Sequence, residues 1–177
     1  MANTERHQAS ARLSSAYMLG ASVMVIAIAV IVAALAFEHI GGYVPCPLCL
    51  QQRWAYYAGI PTAFIALVLV SSGRAVAGAM LLLLVSLAFL GNAGLGVYQA
   101  GAEWKFWPGP ASCGTVQAIG SGGTGGLLDQ LNTTRVIRCD EASWRMFGLS
   151  FAGWNVVVSF VLSVLALKAA FAARQGN

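Results

Sequence analysis

Four uncharged stretches, residues 15–37, 54–70, 75–98 and 149–167, are each long enough to cross a bilayer as a helix. A hydrocarbon core about 30 Å thick needs roughly 20 apolar residues at about 1.5 Å rise per residue. The chain has 177 residues, of which 58% are hydrophobic and 9% charged, and its mean hydropathy is +0.72. That is more apolar surface than a soluble domain of this length can bury. The fold class expected is an all-α membrane protein, a single four-transmembrane-helix bundle over residues 1–177. The first run is expected to stay as an anchor, because it exceeds a signal-peptide core in length and no small-residue cleavage site precedes Glu38-His39.

Four spans place both termini on one side, with the short turn 71–74, and put two loops, 38–53 and 99–148, on the other. Arg6, Arg12, Arg74, Lys168 and Arg174 on the terminal side balance Arg53, Lys105, Arg135, Arg138 and Arg145 opposite. The positive-inside count is therefore tied, but the terminal-side charges are denser, which favours cytoplasmic termini. The cysteines point the same way, since Cys46, Cys49, Cys113 and Cys139 all fall opposite the termini, where disulfides would persist in an oxidising compartment. The net charge of +4 does not imply a nucleic-acid partner, because the basic residues are scattered.

Cys46-Pro47-Leu48-Cys49 carries the most chemistry. Pro45 precedes it, Pro47 lies within it, and an apolar run follows, so the pair is expected at a helix N-terminus. Unpaired backbone N–H groups and the helix dipole there favour a thiolate. Arg53, one helical turn beyond Cys49, adds a positive charge on the same face, and Cys49 is expected to be the more acidic thiol. The same cysteines are compatible with zinc or with two structural bridges. The prolines, the lipid-proximal position and the lack of nearby histidines argue against a metal, and the arginine argues against mere bracing.

Other residues have blander readings beside functional ones. Arg53 alone is also compatible with an interfacial snorkelling role. Glu38 and His39 read as polar helix-end residues, with a site contact as the alternative for His39. Asn92 and Asn155 are expected to join helices, and Gly91, Gly94 and Gly96 to mark close packing. Trp104, Trp107, Trp144 and Trp154 fit an aromatic belt. The glycine-rich stretch 120–126 is expected to divide the long loop into two arms, with Cys113 before it and Cys139 after it.

Taken together, Phe37-Glu38-His39, Pro45-Cys46-Pro47-Leu48-Cys49 with Arg53, Trp107-Pro108 ahead of Cys113, and Cys139 followed by Trp144 and Phe147-Gly148-Leu149 resemble the DsbB disulfide-bond formation proteins of bacterial inner membranes. The vitamin K epoxide reductases also set four cysteines on a four-helix bundle, but their loop cysteines precede the helix-end pair, whereas here the pair comes first. They are the runner-up, and a structural membrane protein with bracing disulfides is the third possibility. The glycine-rich loop departs from the family pattern and puts any membrane-skimming helix there in doubt, although Leu127, Leu128 and Leu131 retain the option of dipping into the interface.

The resemblance implies a quinone-dependent thiol:disulfide oxidoreductase with periplasmic loops and cytoplasmic termini. Its catalytic residues would be Cys46, Cys49, Cys113 and Cys139, with Cys49, Arg53 and His39 facing ubiquinone or menaquinone, and no metal. Cys113 and Cys139 would form the outer bridge that meets a DsbA-like thioredoxin-fold partner. Cys113 would be attacked, Cys139 would pair transiently with Cys46, and Cys49 would be freed to pass electrons to the quinone. DsbA-type couples lie near about −120 mV, roughly 80 mV above an oxidising glutathione poise, so glutathione disulfide would face an uphill step of nearly 4 kcal/mol. A more oxidising, lipid-soluble acceptor is required.

Overall fold

The computed structural model describes residues 2–109 and 144–176. Cys113, Cys139, the stretch 120–126 and Leu127, Leu128 and Leu131 lie outside the described residues. The element order is α1 (Ala2–His39), α2 (Pro47–Ser71), α3 (Ala75–Glu103), a two-stranded hairpin of β1 (Arg145–Met146) and β2 (Leu149–Ser150), and α4 (Phe151–Gln175). All four helices are long and apolar enough to cross a membrane. The chain is thus the expected all-α bundle.

Each helix exceeds the apolar run that announced it, and local chemistry sets the ends. Cys46 has an extended backbone (φ −74°, ψ 161°), its sulfur accepts the backbone N–H of Cys49, and Pro47 takes the first helical position, so α2 starts well before Trp54. Gly73, at φ +80°, turns the chain between α2 and α3, a conformation that strains any residue with a Cβ. The Ser150 side chain caps α4 by accepting the N–H of Gly153 at 3.3 Å. Just before it, Phe147 and Gly148 both have positive φ, 53° and 82°, which is the two-residue turn that lets Arg145 pair with Ser150 and Met146 with Leu149.

The α3 helix packs most extensively on α4 and then on α2, while α1 lies against α4 and α2. Val23, Ala27 and Ile31 of α1, Tyr56 and Ala63 of α2, Val85 and Phe89 of α3, and Leu162 and Ala166 of α4 form the main core. Large apolar side chains such as Leu84, Leu87 and Phe160 face outward. Lipid is as apolar as they are, so close packing and interhelical hydrogen bonds hold such a bundle, each polar pair contributing about 0.6 kcal/mol on average. Ser86 and Ser163 illustrate this: each hydroxyl donates to the other's backbone carbonyl at 2.9 Å.

The glycine expectation on α3 needs correcting. A Cβ at Gly96 would come within 2.8 Å of Val156 and 3.3 Å of the Ala152 carbonyl, so Gly96 is a close-packing site. Gly91 and Gly94 face open space. The buried stripe of α3 runs through Val85, Phe89, Asn92, Gly96 and Gln99, and helical periodicity turns Gly91 and Gly94 away from it.

Candidate active site

At the end of the bundle away from the termini, α1, α2, α3 and α4 enclose a cavity of about 280 Å³. It lies near the lower end of the roughly 300–1,000 Å³ range usual for ligand sites. Val30, Ala34 and Phe37 supply apolar wall from α1, while Cys46, Cys49 and Arg53 line it from α2. Of the residues expected from the sequence, these three are brought together. His39 is exposed at the last turn of α1 and is not among the lining residues. Cys113 and Cys139 lie outside the described residues.

Cys46 is buried and Cys49 partly so, and both are free thiols. The Cys49 backbone N–H lies 3.2 Å from the Cys46 sulfur. The side-chain hydrogen bond between the two sulfurs, reinforced by burial, pushes the Cys46 thiol above the ordinary thiol range, so Cys46 keeps its proton. Cys49 is then the member of the pair left to carry negative charge.

Arg53 is ion-paired with Glu38 of α1, with side-chain exposures of 13% and 26%. Glu38, expected to be a plain interfacial residue, therefore compensates the cation that stands one turn below Cys49. A guanidinium already engaged this way is a tethered positive group at the cavity wall and not a free counter-ion.

Among the lining residues that escaped the sequence reading are Gln52, Gln99 and Glu103. All are buried, at 5%, 3% and 7% exposure. The Gln99 amide nitrogen lies 3.3 Å from the Cys49 sulfur, 3.5 Å from the Cys46 sulfur and 3.3 Å from Glu103 Oε1. Among the described residues, Glu103 Oε2 has no hydrogen-bond partner. A buried polar atom left unpaired costs about 1–3 kcal/mol, so an oxygen in this position at a cavity wall is available to a ligand. The signal that could have found two of them is spacing: Gln99 and Glu103 are four apart, one turn along α3, just past the apolar run that ends at Tyr98.

The aromatic side chains frame the same end. Trp144 stacks on Phe151 (centroids 4.8 Å apart), and Phe37 meets both Trp144 and Phe151. Trp107 stacks on Tyr98 and donates its indole N–H to the Tyr98 carbonyl at 2.9 Å, and Trp154 donates to the Met146 carbonyl at 3.2 Å. Trp104 is half-exposed. Asn92 and Asn155 join helices as expected: Asn92 Nδ2 donates to Ser159 Oγ at 2.9 Å, and the Tyr56 hydroxyl donates to Asn155 Oδ1 at 2.8 Å.

Residues 16–169 match the sequence profile of the family described as "Disulfide bond formation protein DsbB". A relative named "Disulfide bond formation protein B" in Albidiferax ferrireducens is 31% identical over 144 residues, covering 73% of this chain and 73% of that protein. Proteins of the same name in Paracidovorax citrulli (30% identical, 87% of this chain, 91% of the relative) and Marinobacter nauticus (29%, 88% and 91%) align over more of the chain. No solved structure matches. A thiol pair capping a membrane helix beside an apolar-walled cavity, together with a family match across most of the chain, has one consistent meaning: the chain belongs to the DsbB family of membrane disulfide-bond oxidoreductases.

Proposed function

We propose that this protein reoxidises a DsbA-like periplasmic thiol oxidase and delivers the electrons to a membrane quinone, from a bacterial inner membrane in which both termini are cytoplasmic. The observation that carries this reading is the Cys46–Cys49 pair at the α2 N-terminus, opening onto a cavity that is apolar along α1 and polar at Arg53, Gln99 and Glu103. The lining fits a quinone: Val30, Ala34 and Phe37 would face its apolar ring, and Arg53 would offer a donor to one of its carbonyl oxygens, which only accept. The quinone, when bound, supplies a two-electron oxidising equivalent.

The chain's own residues supply the rest. Cys113, paired with Cys139, takes the attack of the partner's thiolate, which forms a mixed disulfide and releases Cys139 as a thiolate. Cys139 attacks the Cys46 side of the inner bridge, so the Cys46–Cys49 bond breaks and Cys49 leaves as a thiolate. Attack of the partner's second thiol on the mixed disulfide frees Cys113, which then displaces Cys46 from Cys139 and restores the outer bridge. The helix end favours the negative charge on Cys49, Cys46 holds a proton beside it, and Val30, Ala34 and Phe37 of α1 make the facing wall apolar. When the two electrons and the Cys46 proton leave for the acceptor, the Cys46–Cys49 bridge re-forms. His39 lies off the cavity wall, and no step is placed on it.

Thiol trapping during turnover tests this reading. Bridges that cycle between oxidised and trapped forms when reduced partner is added support it, and bridges that stay oxidised throughout identify them as braces.

A further inference from the structure

The polar contacts of the sulfurs continue into the bundle as one oriented series. Gln99 Oε1 accepts the Gln52 amide N–H at 2.7 Å, and Gln52 Oε1 accepts the Asn155 amide N–H at 2.6 Å. Asn155 Oδ1 in turn accepts from the Tyr56 hydroxyl at 2.8 Å, the Ser159 hydroxyl at 3.2 Å and Asn92 Nδ2 at 3.4 Å. A carboxamide has a donor end and an acceptor end, and its neighbour decides which way it faces. At the shallow end the Glu103 carboxylate accepts from the Gln99 nitrogen at 3.3 Å, so the Gln99 oxygen must face Gln52. The Gln52 nitrogen then faces Gln99, the Asn155 nitrogen faces Gln52, and the Gln99 nitrogen faces the sulfurs.

Helix packing accounts for the deep half of this series, where Asn92, Ser159 and Asn155 tie α3 to α4. Gln52 likewise ties α2 to α3 and α4, but packing alone does not require the shallow end to meet two sulfurs, nor the single polarity of the whole. A buried anion needs donors, and a hydrogen bond to a charged group is worth about twice a neutral one. Among the described residues, the charged groups lining the cavity around the pair are Glu38 on α1, Arg53 on α2 and Glu103 on α3, Tyr43 and Tyr56 are the other titratable side chains beside the two thiols, and the residues contributed by α4 carry no charge. Since Arg53 is engaged by Glu38, the side-chain donor that actually reaches the sulfurs is a neutral amide.

We propose that Gln99 is a catalytic hydrogen-bond donor to the Cys49 sulfur anion, and that Gln52 and Asn155, together with Glu103 on the nitrogen side, are positioning residues that keep the amide nitrogen of Gln99, and not its oxygen, turned toward the pair. The proposal rests on the relay described above, in which Cys49 acts as a thiolate. If Gln99 turned over, its carbonyl oxygen would face that thiolate, acceptor against anion.

The test uses reduced, quinone-free protein carrying Cys113→Ser and Cys139→Ser, and measures the rate at which iodoacetamide modifies Cys49 at neutral pH, with the site mapped by peptide mass. Gln99→Met, similar in length but without a donor, is expected to slow the reaction about ten-fold, and Gln52→Met, which touches no sulfur, several-fold. Because Gln52 acts only through Gln99, the double variant should react no more slowly than Gln99→Met alone. At strongly alkaline pH, where any thiol ionises, all variants should match the parent. An unchanged rate in Gln99→Met, effects that multiply in the double variant, or a deficit that persists at alkaline pH would each overturn the proposal. A parent Cys49 no more reactive at neutral pH than cysteine in an unstructured peptide contradicts the thiolate relay itself, a separate outcome.

Discussion

The backbone N–H of Cys49 points at the sulfur of Cys46 across 3.2 Å, so one member of the redox pair is also the N-terminal cap of the helix that carries the other. Opening and closing the pair therefore changes how the first turn of α2 is satisfied. Cys46→Ser keeps a capping oxygen and Cys46→Ala does not, so the alanine variant should be less stable by about 1 kcal/mol. Both should be inactive in electron transfer. Thermal unfolding in detergent, read beside activity, separates the two roles of this residue.

The raised Cys46 thiol fixes the order of chemical modification. A group whose pKa is raised keeps its proton through neutral pH and ionises only as the pH climbs past the ordinary thiol range. Limited alkylation of the reduced protein at neutral pH should therefore label Cys49 before Cys46, with Cys46 labelling growing only under alkaline conditions. Peptide mapping across a pH series checks this, and equal labelling at neutral pH contradicts it.

Arg53→Ala removes the cation that Glu38 holds at the cavity wall. A lost charged hydrogen bond of about 1.5–3 kcal/mol predicts a rise of roughly ten-fold or more in the KM for quinone. Unchanged kinetics across a quinone titration would return Arg53 to an interfacial snorkelling role.

Gly96 and Gly91 make a matched pair on one helix. Gly96→Ala pushes a methyl to within 2.8 Å of Val156 and toward the Ala152 carbonyl, so α3 and α4 must separate, and overpacking of this kind costs about 1–3 kcal/mol. Gly91→Ala meets open space and should leave the unfolding midpoint unchanged or slightly raised, since alanine is the better helix former. The comparison of midpoints tests the packing register of α3 directly.

The bundle was legible in the sequence because apolar length is a coarse signal that survives uncertain ends, and the place of the cysteine pair was legible because proline and a following apolar run mark a helix start. Helix ends were not legible to the same degree. Polar residues close to a span look like loop, so Gln99 fell just past the expected end of the third span, although α3 runs on to Glu103. Its partner Gln52 lay short of the second span for the same reason, although α2 begins at Pro47. The contacts between them depend on how α2 and α3 rotate about their axes, which hydropathy does not report. Gly91 and Gly94 show the same limit: composition suggested close packing, and only the buried stripe of α3 reveals that they face outward. The Arg53–Glu38 pair is a contact between α1 and α2 that no spacing within either helix encodes.

The most direct test of the account is an anaerobic mixture of this protein, a reduced DsbA-like dithiol and ubiquinone, followed by quinone absorbance. The account predicts one quinone reduced per dithiol oxidised in the parent and none in Cys49→Ser. Quinone reduction that persists in Cys49→Ser, or that never occurs in the parent, would contradict it.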